Sequence, residues 1–256
     1  LGKANRAQKN TSGFLVKYFA DDIKNVTQLG LIPAHTKALN YLSKILFPDD
    51  DIPQNNRSLM VVWIGVDAKH GYAGGAAGDK SFIANYLVSS NKLIEHKNRA
   101  QTLMILSREQ FHQLVEIKRH GLNSLPSWVN ESLAQYYGLR SLAEALPNDQ
   151  QAQELVKLFI RPAKIITHSM PEVEKLFSSD RPNALDLSYN QGATIWFELD
   201  KALRSNKNNS NLETFLPALL RMDFPDNGKL PDEFISEMKD QENQYVDKVL
   251  LKYIGN

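Results

Sequence analysis

Cysteine is absent from this 256-residue chain. That excludes disulfides, thiolate nucleophiles and thiolate metal ligands, so any metal site must be built from His, Asp and Glu. No apolar run approaches the roughly 20 residues that a membrane-spanning helix needs. Charge of one sign is also lacking: 30 basic residues face 29 acidic ones. With neither a basic block nor an acidic tail, nucleic acid is not an expected partner. The chain opens on Leu1 without Met and without a signal-like apolar stretch, which suits a processed or trimmed product.

What is present is the composition of a soluble globular protein, 42% apolar and 23% charged. The length suffices for one large domain or two lobes around a cleft. The first third mixes strands with a helix. Gly13–Ala20 and Leu59–Gly65 are apolar, β-branched and aromatic enough for buried strands, and Ser81–Ser89 alternates loosely, as an exposed strand does. Pro33–Leu46 places Ala38, Leu39, Leu42, Ile45 and Leu46 at helical spacing and is stopped by Pro48. His70–Lys80 is a glycine-rich loop.

From about Asn98 onward the pattern is helical. One helix is expected over Arg99–Arg119, ending near Gly121, and the next from Pro126 or Ser127 towards Pro147, with Gly138 as a soft spot. Others are expected over roughly 149–160, 188–204, 212–222 and 232–254. Strands first and helices later indicate an α+β fold.

The helix Arg99–Arg119 carries the string Arg108-Glu109-Gln110-Phe111-His112. Arg108 and His112 lie four residues apart and so project on one side. A helical zinc motif has His at both positions, with a Glu beside the first to activate water. Here the Glu and the second His are present and the first His is Arg. Eighteen residues after His112 comes Glu131, in Asn130-Glu131-Ser132-Leu133-Ala134 followed by Tyr136 and Tyr137.

Further on, Ser188-Tyr189-Asn190-Gln191-Gly192-Ala193 leads into a helix. The loop after the Leu59–Gly65 strand contains Gly74-Gly75-Ala76-Ala77-Gly78. That loop is not a Walker phosphate cradle. Asp79 intervenes between Gly78 and Lys80, and a strand rather than a helix is expected next.

Together these strings resemble the gluzincin zinc peptidases, in particular aminopeptidase N and glycyl aminopeptidase, over roughly residues 33–222. The resemblance implies a thermolysin-like layout: a single peptidase-like domain with a small mixed sheet lobe to about residue 97, a larger all-helical lobe from about 98, and the active-site helix between them. It implies that Glu109 stands where the water-activating base stands, His112 and Glu131 where two zinc ligands stand, and Tyr189 where the oxyanion donor stands. Gly74, Gly75, Ala76 and Ala77 take the place of the substrate-binding loop. Two departures matter. Arg108 occupies the first ligand position, and Ala77 replaces the Glu that binds the substrate's free amine in the family.

Arginine stays protonated and offers no lone pair. The expectation is therefore that no cofactor is held, and that the Arg108 guanidinium fills the metal's place and pairs with Glu131 or Glu109. The favoured reading is an inactive, metallopeptidase-like domain that binds a peptide or protein partner in the old cleft. The alternative is a working zinc (amino)peptidase with a ligand drawn from elsewhere. His70 and His96 are the nearest candidates for that ligand, while His35, His120 and His168 have no supporting spacing. Family analogy points to a periplasmic or secreted location.

Overall fold

A computed structural model describes all residues except 1–5, 50, 70, 72–73, 79, 91, 162–165, 206–209, 240–243 and 256, and the side chains of 92–97. It is α+β, with one small mixed sheet and a mostly helical remainder. Five strands, β1 (Arg6–Thr11), β2 (Phe14–Ala20), β3 (Ser58–Asp67), β4 (Gly75–Ala77) and β5 (Ser81–Val88), are ordered β1-β2-β3-β5-β4. The pairs β2–β3 and β3–β5 are parallel, and the outer strands β1 and β4 run antiparallel to their neighbours.

Two compact units are distinguished. The first holds residues 1–118 and 137–156, and the second holds 119–136 and 157–256. In the first, α1 (Ile23–Gln28) and α2 (Leu31–Leu46) carry the chain from β2 to β3, and α3 (Lys92–Lys118) follows β5. One face of the sheet is buried. Phe14, Val16, Tyr18 and Ala20 of β2 alternate with residues that are not buried, as do Leu59, Val61 and Trp63 of β3 and Phe82, Ala84 and Tyr86 of β5. Such period-2 burial is what a sheet covered on one side requires. The helix α3 packs against β5 and α2. Its buried residues, among them Leu103, Leu106, Ser107, Gln110, Phe111, Leu114 and Ile117, cover more than one face, so it is a central helix rather than a surface one.

The helix α4 (Ser127–Ala145) begins in the second unit and ends in the first, and α5 (Gln150–Phe159) begins in the first. The second unit holds α6 (Met170–Ser179), α7 (Arg181–Leu187), a π-helical turn over Ser188–Gly192, α8 (Ala193–Arg204), α9 (Leu212–Leu219), α10 (Asp232–Lys239) and α11 (Gln244–Tyr253). Its core includes Trp128 stacked on Trp196, with ring centroids 5.9 Å apart.

Several sequence expectations need correction. Ser81–Val88 is an inner strand between β3 and β4, not an exposed one; the loose alternation is a buried row against a half-open face. Part of the glycine loop, Gly75–Ala77, is itself a strand, made so by pairing with β5 rather than by its own propensity. The helix expected from Ser188 is reached from Arg181 through the π turn. The region 232–254, expected as one helix, forms α10 and α11. Gly138 does not weaken α4. A Cβ there would lie 3.3 Å from Arg108 N, Arg108 Cβ and Met104 O, so glycine lets α4 approach α3 closely.

Candidate functional site

In the first unit the site is built on the middle of α3. The Glu109 side chain is 6% exposed and that of Arg108 21%. Arg108 Nη2 donates to Glu109 Oε1 at 2.8 Å and Nε to the same oxygen at 3.3 Å. Adjacent helical residues do not normally face each other, so the guanidinium folds across the helix surface to reach its neighbour. Of the two pairings expected for Arg108, the one with Glu109 is present. The arrangement has a plain chemical effect. A buried carboxylate is expensive unless it is paired, and Arg108 supplies the countercharge and two donors. His112, one turn on, is half-buried.

The strand β4 lies against this part of α3. A Cβ built on Gly75 would sit 3.0 Å from Glu109 Cγ and 3.2 Å from Ile105 Cγ2. Glycine at this position therefore lets a strand pass directly over the carboxylate's stem. Gly75, Ala76 and Ala77 are exposed and Gly74 is half-buried. The ladder bonds Asn85 N to Gly74 O (2.8 Å) and Gly78 N to Ser81 O (2.7 Å) fix the alternation. With partners Gly75–Ala84, Ala76–Ile83 and Ala77–Phe82, Ala76 is turned to β5, while the amides of Gly75 and Ala77 face the outer edge. No strand pairs with that edge among the described residues.

A buried polar chain supports the arrangement from below. Tyr18 OH lies 2.8 Å from His35 Nδ1, and His35 Nε2 lies 3.1 Å from Gln110 Oε1. Gln110 Nε2 donates to Gln113 Oε1 at 3.0 Å, and Gln113 Nε2 reaches Gly78 O at 3.5 Å. The carbonyl of Gln110 can only accept, so His35 carries its proton on Nε2 and accepts from the tyrosine at Nδ1. Burial lowers the His35 pKa to about 4, against a smaller opposing effect of the Gln110 bond, and burial raises Tyr18 to about 12. His35 is thus a satisfied core histidine. The residues that sequence reasoning missed here are Gln110 and Gln113; two glutamines inside an otherwise apolar helical face were the available signal.

In the second unit Glu131 lies half-buried in the early turns of α4, and Tyr189 is half-buried in the π turn. Gly192 presses on Ser132, where any Cβ would collide with the Ser132 Cβ. Trp196 Nε1 donates to Ser132 Oγ at 2.8 Å. These contacts hold the 188–192 turn against the part of α4 that carries Glu131. Gln191 is buried, and its amide donates to His168 O at 2.8 Å. It is a structural link. π turns recur at functional sites, and this one coincides with the string singled out in the sequence.

No family model matches the sequence, and no curated protein matches it. Solved structures do match. One is the crystal structure of an aminopeptidase N family protein from Idiomarina loihiensis, similar over 86% of this chain with a TM-score of 0.62 and 16% sequence identity. The fold is aminopeptidase-like. The chain spans 41% of that protein's length, and at this identity the likeness is one of fold.

A zinc ion held by side chains takes at least three protein donors. Among the described residues no three His, Asp or Glu side chains form a group that could hold an ion. Arg108 offers only hydrogen-bond donors, and two of them reach Glu109. His70 and the side chain of His96 lie outside the described residues. Among the described residues no helix is long and apolar enough to cross a membrane.

Proposed function

We propose that this chain is a gluzincin-derived, metallopeptidase-like domain that has lost zinc and catalysis and uses the former substrate groove to bind an extended peptide or protein segment. The observation that carries the reading is the Arg108–Glu109 pair at 2.8 Å. In the working arrangement that the resemblance implies, the carboxylate next to the first ligand must be open to a metal-bound water. Here a guanidinium holds it. His112, Glu131 and Tyr189 are then vestiges of the ligand pair and the oxyanion donor.

What survives is the β4 edge. Outward amides at Gly75 and Ala77, with small neighbouring side chains, suit strand addition, in which main-chain hydrogen bonds provide affinity. Ala77 brings no carboxylate to anchor a free amine, so the bound segment need not present an N-terminus.

The test is retention of short peptides from a random-sequence pool by the immobilised protein, compared with its Ala77→Pro variant. Proline removes the outward amide and no inward ladder bond, a substitution that edge strands tolerate. The reading predicts that retained peptides are recovered uncut and that retention is lost in the variant. Cleaved peptides, equal retention by both proteins, or no retention by either contradicts it.

A further inference from the structure

A second groove, in the second unit, has a different character. It lies between α8 and α11, which pack on each other, and its volume is about 460 Å³. From α8 come Glu198, Lys201 and Ala202, and from α11 come Tyr245, Lys248, Val249 and Lys252. Each set follows i, i+3, i+4 spacing, the spacing of a single helical stripe, so one stripe from each helix lines the groove. Ala202 and Val249 are buried and form its apolar floor, while the Tyr245 side chain is 55% exposed.

The rim is cationic. Among the described lining residues, three lysines stand with one carboxylate, and that carboxylate is paired: Lys252 Nζ lies 3.2 Å from Glu198 Oε1. Lys201 and Lys248 pair with no carboxylate among the described residues, and Lys248 Nζ stands 5.3 Å from the Tyr245 ring centroid. Exposed cations beside an apolar trough raise the local concentration of anionic partners.

We propose that the α8–α11 groove docks an acidic amphipathic helix of a protein partner. Its apolar side chains would enter the trough and its carboxylates would meet Lys201 and Lys248. Laying an amphipathic helix in a groove between two others is a recurrent recognition mode. A second copy of this chain is the poorer occupant, because a two-fold contact would set the same lysines against each other.

The test uses a fluorescein-labelled helical peptide with one leucine stripe flanked by glutamates, and the same peptide with glutamine at each glutamate. The native protein is compared with a Lys201→Glu/Lys248→Glu variant and with Lys37→Glu, a charge change at an exposed position of α2 in the other unit. Anisotropy should show saturable binding of the acidic peptide, at least about tenfold weaker binding of the glutamine peptide, and weakening with added salt. The double variant should lose binding and Lys37→Glu should keep it, both with unchanged circular dichroism. Equal affinity for the two peptides, no saturable binding, or indifference to the double variant overturns the proposal. So does a concentration-dependent dimer that the double variant abolishes, which would assign the groove to a second copy.

Discussion

At the scale of single residues, Arg108 matters most through what it does for Glu109. The carboxylate is buried and the guanidinium is its partner. Removing one member of a buried pair leaves a charge stranded, and that costs more than removing both. Arg108→Ala should therefore destabilise the fold by about 2 kcal/mol, and Glu109→Ala added to it should restore part of the loss. Urea titration of the two single variants and the double variant measures the coupling; a double variant as unstable as the sum of the singles contradicts the pairing. Gly138 makes a sharper point. Alanine normally gains helix propensity over glycine by about 1 kcal/mol. Here its Cβ would meet backbone atoms of α3 at 3.3 Å, which cannot turn aside as a side-chain tip can. Gly138→Ala should lower the melting temperature instead of raising it, as calorimetry will read directly.

At the scale of elements, His35 couples α2, β2 and α3 through neutral hydrogen bonds. Its folded pKa, about 4, lies below the ordinary value of 6.5. The folded state therefore resists a proton that the unfolded chain accepts. The stability contributed by neutral His35 is present above about pH 6.5 and declines as pH falls towards 4, by roughly 3 kcal/mol at most. His35→Gln should be less stable at neutral pH yet lose less on acidification. Urea midpoints at pH 7 and pH 4.5 check this, and an unchanged acid loss in the variant would contradict it.

The elements also show what a sequence reader can and cannot see. The inner strands, α2, α4 and most of α3 were legible because burial imposes period 2 or 3.6 on apolar residues. The strand β1, Arg-Ala-Gln-Lys-Asn-Thr, is an outer strand with no buried residue and so no pattern. In β4 three small residues are extended only because β5 holds them. The helices α6 and α7 were missed although their starts are written in the chain. Ser169 and Glu172 form a capping box with Pro171 inside it, and Asp180 caps the helix that follows. Of the site, the Arg108–Glu109–His112 string was visible as a departure from a spacing rule. The fold of the guanidinium back onto its neighbour was not, because side-chain direction depends on the packing around α3. Nor was the use of Gly75, whose missing Cβ matters only once β4 is laid over Glu109.

At the scale of the whole molecule, the chain has an aminopeptidase-like fold in two compact units and spans under half of a known structure with that fold. The proposed loss of zinc implies that metal has no part in folding either. A chelator in excess should leave the melting temperature of the native protein unchanged, since stabilisation by a bound metal would appear as a linkage shift. On the proposed reading, Arg108→His frees Glu109 and places an imidazole one turn before His112, so zinc affinity measured by calorimetry should rise.

The most direct measurement is the zinc content of the native protein, by plasma mass spectrometry, after incubation with excess zinc and gel filtration. The proposed reading predicts that no more than about a tenth of an equivalent remains bound. Retention of about one equivalent per chain would show that three donors converge and would contradict the proposal.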